Sequence, residues 1–223
     1  MNVLLFGATG MVGQGVLREC LAAPDVALVQ TVGRNATGVT SPKLRDVVHA
    51  DLFDCRGIEA QLGGFDACFF CLGVSAAGTS EADYSRLTYD LTLAVATALA
   101  RLNPGMTFVY VSGEGTDGTE KGRIMWARVK GRTENALRAL PFTAVYLFRP
   151  GIIRPMHGAR SKTLLYRIPY LLMTPVLPLM RRLAPHRVLT TEIVGRAMLA
   201  AARRGGPSTV AETADINALG TGA

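Results

Sequence analysis

Acidic residues are nearly absent from the last third of this chain of 223 residues, whose formal net charge is +7. Residues 149–204 hold eleven Lys and Arg residues but a single acid, Glu192. Such an excess of positive charge suits nucleic acid, an anionic lipid surface, or a small molecule with phosphate or carboxylate groups. No helix-turn-helix, zinc-finger or RNA-binding signature accompanies it, so we expect no nucleic-acid partner.

Cysteine is scarce, and its spacing argues against a disulfide framework or a metal centre. Cys20, Cys55, Cys68 and Cys71 are scattered through apolar segments. The last two form a C-x-x-C pair, but residues three apart in a strand point to opposite faces. We therefore expect buried, reduced thiols and no bound metal. The first strand-like run begins at Asn2, which leaves no room for a signal peptide, so we expect a cytoplasmic protein.

No apolar run is both long and uninterrupted enough to cross a membrane. The longest, TLLYRIPYLLMTPVLPLM, contains Arg167 and three prolines, which argues against a spanning helix. We interpret residues 163–183 as a lid over a small-molecule substrate or as a contact within a homo-oligomer. Peripheral contact with an anionic membrane is the alternative, because basic residues flank the segment.

The chain does contain a regular alternation of strand and helix patterns. The strand patterns are NVLLF, VALVQTVGR, LRDVVHAD, DACFFCLG, MTFVYVSG and FTAVYLFRPG. Between the fourth and fifth, SEADYSRLTYDLTLAVATALARL predicts one long helix, with a capping box formed by Ser80 and Asp83. This alternation predicts a doubly wound α/β fold, in which a parallel Rossmann sheet has the strand order 3-2-1-4-5-6.

The predicted organisation is a single domain over residues 1–223. Residues 1–151 form the Rossmann core, and residues 152–206 form a small C-terminal helical cap or lid, because the alternation stops after Gly151. The segment TTEIVGRAMLAAARRG predicts a last helix that begins at a Thr cap and ends at glycine. The small, polar tail after Pro207 is expected to be only partly ordered.

A glycine-rich turn, GATGMVGQG, joins the first strand to the first helix. Gly7 permits the tight turn, Gly10 lets a pyrophosphate approach the backbone, and Gly13 lets the helix pack close to the strand. The helix N-terminus then offers N–H groups and the positive end of its dipole to the phosphates. The turn therefore predicts a dinucleotide site that includes Thr9, Met11 and Val12.

The end of the second strand favours NADP(H) over NAD(H). Proteins that select NAD usually place an acid there to hold the ribose 2′-hydroxyl, but the chain reads TVGRN. Arg34 can meet a 2′-phosphate instead, because a guanidinium matches phosphate geometry. Asp51, after the third strand, either accepts from the adenine amino group or caps the helix that follows.

These motifs together resemble the short-chain dehydrogenase/reductase superfamily, in particular its atypical, NAD(P)-binding and epimerase-like branch. The resemblance covers roughly residues 1–151 and rests on GATGMVG, HADL, FCLG, VSG, VKGRTE and FRPG in that order. It implies further cofactor contacts at the ends of the third, fourth and sixth strands. These are Asp51, Leu52, Cys71, Leu72, Gly73, Pro150 and Gly151, with Lys130 at the nicotinamide ribose.

The resemblance also implies where the reaction centre lies. Active members use a Ser, a Tyr and a Lys, and the last two are spaced Y-x-x-x-K. By position the Ser is Ser112 and the Lys is Lys130, but Trp126 stands in place of the Tyr. An indole N–H donates hydrogen bonds but does not act as an acid near neutral pH. Tyr84, Tyr89, Glu114, Asp117 and His157 are weaker candidates for the missing proton donor.

The sequence therefore predicts an NADP(H)-binding, oxidoreductase-like protein that transfers hydride to or from an unknown small molecule. The alternative is a non-catalytic NADP(H)-binding protein that senses redox state or supports the assembly of a complex. Trp126 favours the alternative, whereas the glycine turn is compatible with both.

Overall fold

The computed structural model describes residues 1–159 and 188–222. Within them a seven-stranded, wholly parallel sheet has the order β3-β2-β1-β4-β5-β6-β9. Its strands are β1 (Asn2–Phe6), β2 (Leu28–Gly33), β3 (Leu44–Val48), β4 (Ala67–Phe70), β5 (Thr107–Val111), β6 (Ala144–Arg149) and β9 (Val210–Glu212). The predicted fold class and the strand order 3-2-1-4-5-6 are confirmed, and the structure adds a seventh strand beyond β6.

Helices cover both faces of this sheet. They are α1 (Met11–Ala22), α2 (Glu81–Ser85), α3 (Leu91–Leu102), α4 (Met125–Arg138), α5 (Thr191–Arg204) and α6 (Thr213–Thr221). A short 3₁₀ helix, Arg56–Gln61, stands where the sequence predicts a helical stretch. A separate pair of short parallel strands, β7 (Ile152–Arg154) and β8 (Val188–Thr190), frames the residues that are not described.

The central strands β1, β2, β4 and β5 are buried on both faces, as is typical of a parallel sheet covered by helices. Alternate residues of β1 enter two different cores. Val3 and Leu5 pack with α1 and α5, whereas Leu4 and Phe6 pack with α3 and the end of α4. All four of these side chains are fully buried.

The long helix predicted over Ser80–Leu102 is interrupted in its first half. The predicted Ser80 N-cap is confirmed, since its hydroxyl accepts from the Asp83 N–H at 3.1 Å. The Asp83 carboxylate accepts from the Ser80 hydroxyl at 2.7 Å rather than from the Ser80 N–H, so the predicted capping box is only half formed. A π-helical turn, Arg86–Asp90, then separates α2 from α3. It holds Thr88, whose hydroxyl is buried without a partner in the described structure. A helix pattern read at a period of 3.6 residues cannot reveal such a turn.

The described parts of residues 152–206 pack against the Rossmann core. The helix α5 begins at the predicted Thr cap, where the Thr190 hydroxyl accepts from the Ile193 N–H at 3.2 Å. Two glycines let α5 and α1 approach closely: a Cβ on Gly15 would lie 2.5 Å from the Cβ of Thr191, and one on Gly195 would crowd α1. The predicted lid, residues 163–183, lies outside the described residues.

The tail after Pro207 is regular, which corrects the expectation of partial order. It forms β9, which pairs with β6, and then α6. Ala211 and Ile216 are almost fully buried. The small, polar composition of the segment hides these two core positions, because they depend on long-range pairing with β6 rather than on a local pattern.

Candidate functional site

The glycine turn between β1 and α1 lies directly against the end of β4. Gly7 has φ +80°, and a Cβ there would lie 2.7 Å from the backbone of Cys71. A Cβ on Gly13 would overlap the carbonyl oxygen of Gly7. The Gly10 N–H donates to that same carbonyl at 2.9 Å. Larger residues at these positions would therefore fill the turn or push α1 away from the sheet.

The first turn of α1 carries no side-chain cap. Gly10 is its N-cap residue, and the turn contains no acid. The side-chain amide of Gln14 donates to the Thr9 carbonyl at 3.0 Å and holds the turn in shape. Met11 and Val12 open the helix and are half-buried. Because N–H groups and the positive end of the helix dipole converge here, this cradle fits the pyrophosphate of a dinucleotide.

The end of β4 supplies the backbone that faces the glycine turn. The Cys71 N–H donates to the Phe6 carbonyl at 2.9 Å, and Leu72 follows beside Gly7. A Cβ on Gly73 would meet no atom within 4 Å, so the backbone there borders open space. Cys71 packs with the α1 core and Cys68 with the opposite core, as predicted for the C-x-x-C pair. Burial raises the pKa of both thiols.

Arg34 follows β2 with an exposed side chain. The acid of the neighbouring strand, Asp46, is occupied by the loop after β2. Its carboxylate accepts from the Thr31 hydroxyl and from both the N–H and the hydroxyl of Thr37, the last two at 2.9 Å. Asp46 therefore anchors this loop, while Arg34 remains exposed at the strand end where a ribose 2′ group is expected.

Of the two roles that the sequence left open for Asp51, the structure does not support the capping of the following helix. Its carboxylate accepts from the Phe53 N–H at 2.9 Å and closes a turn. The start of the following 3₁₀ helix is instead served by Asp54, which accepts from the Arg56 N–H at 3.0 Å. Leu52 is buried beneath this turn. A contact between Asp51 and adenine stays a prediction.

Ser112 lies just after β5 and is 8% exposed. Its hydroxyl is 2.9 Å from that of Thr116, which in turn donates to the Gly113 carbonyl at 2.7 Å. Since Thr116 uses its proton on Gly113, Ser112 donates to Thr116. To hydrogen-bond a substrate carbonyl, the Ser112 hydroxyl would have to rotate away from Thr116.

Lys130 on α4 reaches the same loop. Its Nζ donates to the Ser112 carbonyl at 3.1 Å and lies 5.5 Å from the centre of the Tyr110 ring. Burial lowers the pKa of Lys130 to about 8, and the carboxylate of Glu134, one turn further along α4, opposes this shift. The backbone of the loop after β5, residues 112–124 (the serine loop), therefore holds Lys130 in place. Burial and the Glu134 carboxylate act in opposite directions on its charge.

Trp126 lies one turn before Lys130 and is half-buried. Its six-membered ring lies beside the loop after β5: a Cβ on Gly115 would be 3.6 Å from the ring and one on Gly113 would be 4.0 Å away. The structure thus brings Ser112, Lys130 and Trp126 around one short loop. Their catalytic roles stay predictions.

A second loop contact fixes α4 against this site. A Cβ on Gly131 would overlap the carbonyl oxygen of Asp117, so glycine is required for the loop to lie on the helix. The Asp117 carboxylate accepts from the Thr119 N–H at 2.9 Å and from the Gly122 N–H at 2.7 Å. A hydrogen bond from the Thr119 hydroxyl at 2.6 Å, together with these backbone bonds, lowers the pKa of Asp117, so it is a structural acceptor within its loop and a poor proton donor.

The other candidate proton donors are engaged elsewhere. Tyr84 is only 2% exposed, and Tyr89 lies under the guanidinium of Arg132, 4.0 Å from it. The imidazole of His157 pairs with the Glu192 carboxylate at 2.5 Å. These contacts favour packing and ion-pair roles for the three residues.

Glu114 remains exposed beside the end of β6. Its N–H donates to the Pro150 carbonyl at 3.1 Å, and its carboxylate lies where a Cβ on Gly151 would be. The Gly151 N–H donates to the Thr213 hydroxyl at 2.9 Å. The predicted cofactor residues Pro150 and Gly151 therefore join the serine loop to the start of α6.

Sequence reasoning missed a buried ion pair behind the site. Glu134 is 0% exposed, and its carboxylate accepts from Arg149 at 3.0 Å and 2.5 Å. The pair joins VKGRTE to FRPG, two of the motifs that carry the family resemblance. The sequence signal at Glu134 is its position four residues after Lys130 on one helix face, which points to Lys130 rather than to Arg149 as the partner. Its partner, Arg149, is close only through the packing of α4 on the sheet.

Residues 1–159 and 188–222 were also compared with the requirements of a metal site and of a membrane-spanning helix. No group of three or more His, Cys, Asp or Glu side chains in them is arranged to hold a metal ion. In the same residues, no helix combines the length and apolar character that a membrane crossing needs.

Comparison with known proteins supports the family resemblance. Residues 3–125 match the model of the NAD dependent epimerase/dehydratase family. The chain is 33% identical over 159 residues to "Protein fmp52, mitochondrial" of Emericella nidulans, covering 68% of this chain and 66% of that protein. It is 33% identical over 171 residues to "Protein fmp52-1, mitochondrial" of Aspergillus terreus, covering 71% and 72%. The chain thus spans just under two thirds of the Emericella relative.

A solved structure shows the same fold. MoeE5, determined in complex with UDP-glucose and NAD, superposes with a TM-score of 0.69 over 95% of this chain and 75% of that chain. At 17% sequence identity the likeness concerns the fold alone.

The expectation of a cytoplasmic protein is wrong, because the fmp52 relatives are named as mitochondrial proteins. The expectation rested on reduced thiols and on the first strand beginning at Asn2. Reduced thiols argue against an oxidising environment, but they do not single out one reducing compartment.

Proposed function

Because the chain belongs to the NAD dependent epimerase/dehydratase family, we propose that it is an NADP(H)-binding oxidoreductase of the atypical short-chain type, acting on a small molecule. The observation that carries this proposal is the glycine cradle. Gly7 and Gly13 allow β1, α1 and the backbone of Cys71 to meet with no side chain between them. Such close approach of bare backbone to an uncapped helix start is what a pyrophosphate requires.

The preference for NADP(H) rests on Arg34. Its exposed guanidinium follows β2, and the nearest acid of β3, Asp46, is used by Thr31 and Thr37. A 2′-phosphate would gain a charge-assisted hydrogen bond there. The 2′-hydroxyl of NAD(H) would find no carboxylate at the strand end to accept its hydrogen bond.

The remaining site residues position the other half of the cofactor. A bound nicotinamide dinucleotide supplies or accepts hydride. Lys130, fixed through its bond to the Ser112 carbonyl, would donate to the nicotinamide ribose hydroxyls. The Ser112 hydroxyl would orient a substrate oxygen after turning away from Thr116.

A second candidate function is favoured by Trp126. Its indole stands one turn before Lys130, where related reductases carry the proton-donating tyrosine, and it rests against Gly113 and Gly115. An indole N–H is not an acid near neutral pH. The rival proposal is a non-catalytic NADP(H)-binding protein that reports redox state or supports the assembly of a complex.

Cofactor titration tests the proposed function. NADPH should bind about tenfold more tightly than NADH, a difference of roughly 1.4 kcal/mol. Arg34→Ala should remove most of that difference and leave NADH affinity nearly unchanged, since only the 2′-phosphate loses a partner. Arg204→Ala, at the exposed end of α5, controls for the general loss of one positive charge. Equal affinities of the wild-type protein for the two cofactors would contradict the NADP(H) preference, and no binding of either would contradict the function.

A further inference from the structure

A buried charge cluster lies behind the serine loop. Glu134 is fully buried, and Arg149 reaches it through two nitrogens: Nε lies 3.0 Å from Oε1 and Nη2 lies 2.5 Å from Oε2. The third nitrogen, Nη1, lies 3.2 Å from a carboxylate oxygen of Glu212 on β9. One arginine therefore joins α4, β6 and β9. Its two-nitrogen contact is with the buried Glu134, and its single contact is with Glu212.

Lys130 stands one turn before Glu134 on α4. Its Nζ bonds to the Ser112 carbonyl and lies over Tyr110, and no carboxylate of the described residues forms an ion pair with it. Burial lowers the pKa of Lys130 and raises the pKa of Tyr110. The charge of Glu134 acts on both groups: it opposes the shift of Lys130 and adds to that of Tyr110. The Glu134 carboxylate thus acts on Lys130 electrostatically, without an ion pair between them.

We propose that Glu134 and Arg149 are positioning residues for Lys130: the pair keeps a buried negative charge beneath the lysine and thereby keeps it cationic for the cofactor. The role of Lys130 at the cofactor rests on the proposed function, whereas the control of its charge does not. Neither partner needs to touch cofactor or substrate.

The direction of the effect follows from simple electrostatics. Burial favours the neutral amine of Lys130, and a nearby carboxylate favours the ammonium. A buried charge is costly unless it is paired. Arg149 pairs with the Glu134 carboxylate through two charge-assisted hydrogen bonds. With Glu134 neutral, the midpoint of the Lys130 titration should move to lower pH.

The groups that face Lys130 come from a small number of elements. On its own helix there is Glu134, and on β5 there are the Tyr110 ring and the Ser112 carbonyl. The groups that face Glu134 are Arg149 from β6, with Glu212 of β9 behind it. A change at Glu134 therefore reaches Lys130 directly, and Tyr110 and Arg149 are further titratable groups that feel the same charge.

The titration of Lys130 can be followed by NMR in the full chain without cofactor. The sequence contains four lysines, Lys43, Lys121, Lys130 and Lys162, so the Cε signals of a labelled sample can be assigned, with Lys130→Arg identifying the one of interest. In the wild-type protein its midpoint should lie near pH 8. The exposed Lys121 serves as the internal reference.

Two variants of Glu134 separate charge from packing. Glu134→Gln keeps the size and removes the charge, and it should lower the Lys130 midpoint by about one pH unit, tenfold in its proton affinity. Glu134→Asp keeps the charge but shortens the side chain, and it should leave the midpoint near the wild-type value even if the protein becomes less stable. If Glu134→Gln does not fold, the double variant Glu134→Gln with Arg149→Gln replaces the charges by a neutral amide pair. It should lower the Lys130 midpoint by a smaller amount, because the loss of the Arg149 cation opposes the loss of the nearer carboxylate.

An unchanged Lys130 midpoint in the charge-free variants would overturn the proposal and leave the pair as a structural tie between α4 and β6. NADPH affinity measured across the same pH range supplies the functional readout. In Glu134→Gln it should fall at lower pH than in the wild-type protein, by the same shift. A wild-type protein that binds no NADPH would contradict the proposed function, but the NMR result would still decide the role of Glu134.

Discussion

At the scale of single residues, the candidate site combines a firmly held lysine with a tryptophan where the family resemblance implies a proton-donating tyrosine. Lys130 is fixed by the Ser112 carbonyl, while Trp126 lies against Gly113 and Gly115 at the position of the expected tyrosine. The neighbouring tyrosine, Tyr84, is buried. Of these two residues, the proposed cofactor binding calls only on Lys130, whereas carbonyl reduction needs an acid as well.

The substitution Trp126→Tyr tests whether the donor is the missing part. A phenol one turn before Lys130 would have its pKa lowered by the ammonium and could supply the proton. We expect NADPH affinity to stay within about threefold of the wild-type value, and carbonyl reductase activity to appear in assays that follow NADPH oxidation. Trp126→Ala, which offers no proton, should remain inactive and serves as the control.

The fluorescence of the single tryptophan also tests where Trp126 lies. Wild-type emission should change as NADPH binds, because the chain has one tryptophan. Unchanged emission at saturating NADPH, together with normal cofactor binding by Lys130→Ala, would contradict the placement of Trp126 and Lys130 at the nicotinamide.

At the scale of elements, three glycines set the position of α1, because a side chain at any of them would block a close contact. Gly7 and Gly13 let its start meet β1 and the end of β4, and Gly15 lets its middle meet Thr191 of α5. The same helix therefore presents its N-terminus to the phosphate and one of its faces to the core. Any Cβ that moves α1 should disturb both roles together.

Gly13→Ala tests this coupling. The added Cβ would overlap the Gly7 carbonyl, so α1 must shift, at a cost of about 1–3 kcal/mol in the free energy of unfolding. NADPH binding should weaken strongly, since the helix start no longer meets the pyrophosphate. Gly63→Ala is the matched control, because a Cβ there meets no atom within 4 Å. Chemical denaturation and cofactor titration provide the two measurements, and wild-type values for Gly13→Ala would refute the close approach.

At the scale of the whole molecule, the C-terminal segment completes the sheet. Strand β9 covers the edge of β6, and α6 packs Ile216 into the core formed with α1 and α5. The same segment brings Glu212 to Arg149 and Thr213 to Gly151. Residues far from the glycine turn in sequence thus support the carboxyl end of the sheet.

Ile216→Ala measures how far the fold depends on this segment. The side chain is fully buried, so its truncation should cost about 2–5 kcal/mol of unfolding free energy in urea titrations. Ala218→Ser, at an exposed position of α6, should change that free energy by less than about 0.5 kcal/mol. Equal stabilities of the two variants would show that the segment does not belong to the cooperative core.

The sequence predicted the features that local patterns encode. All six strand patterns became strands, and the most apolar of them, in β1, β4 and β5, lie where the sheet is buried on both faces. The glycine turn fell between β1 and α1 as expected. The π-helical turn within the predicted long helix was not foreseeable, since it changes hydrogen bonding without changing composition. Asp54, rather than Asp51, serves the start of the 3₁₀ helix, a difference of three residues that loop geometry decides.

By itself, the sequence determined the parallel sheet, the glycine turn and the spacing of Trp126 and Lys130, because each depends on residues close together in the chain. Only the tertiary structure decided that Glu134 pairs with Arg149, that Glu212 stands behind them, and that β9 follows β6. These contacts join residues far apart in sequence, and their partners are selected by the geometry of packed elements. A buried carboxylate needs a cationic partner, and the packing of the elements decides which residue supplies it.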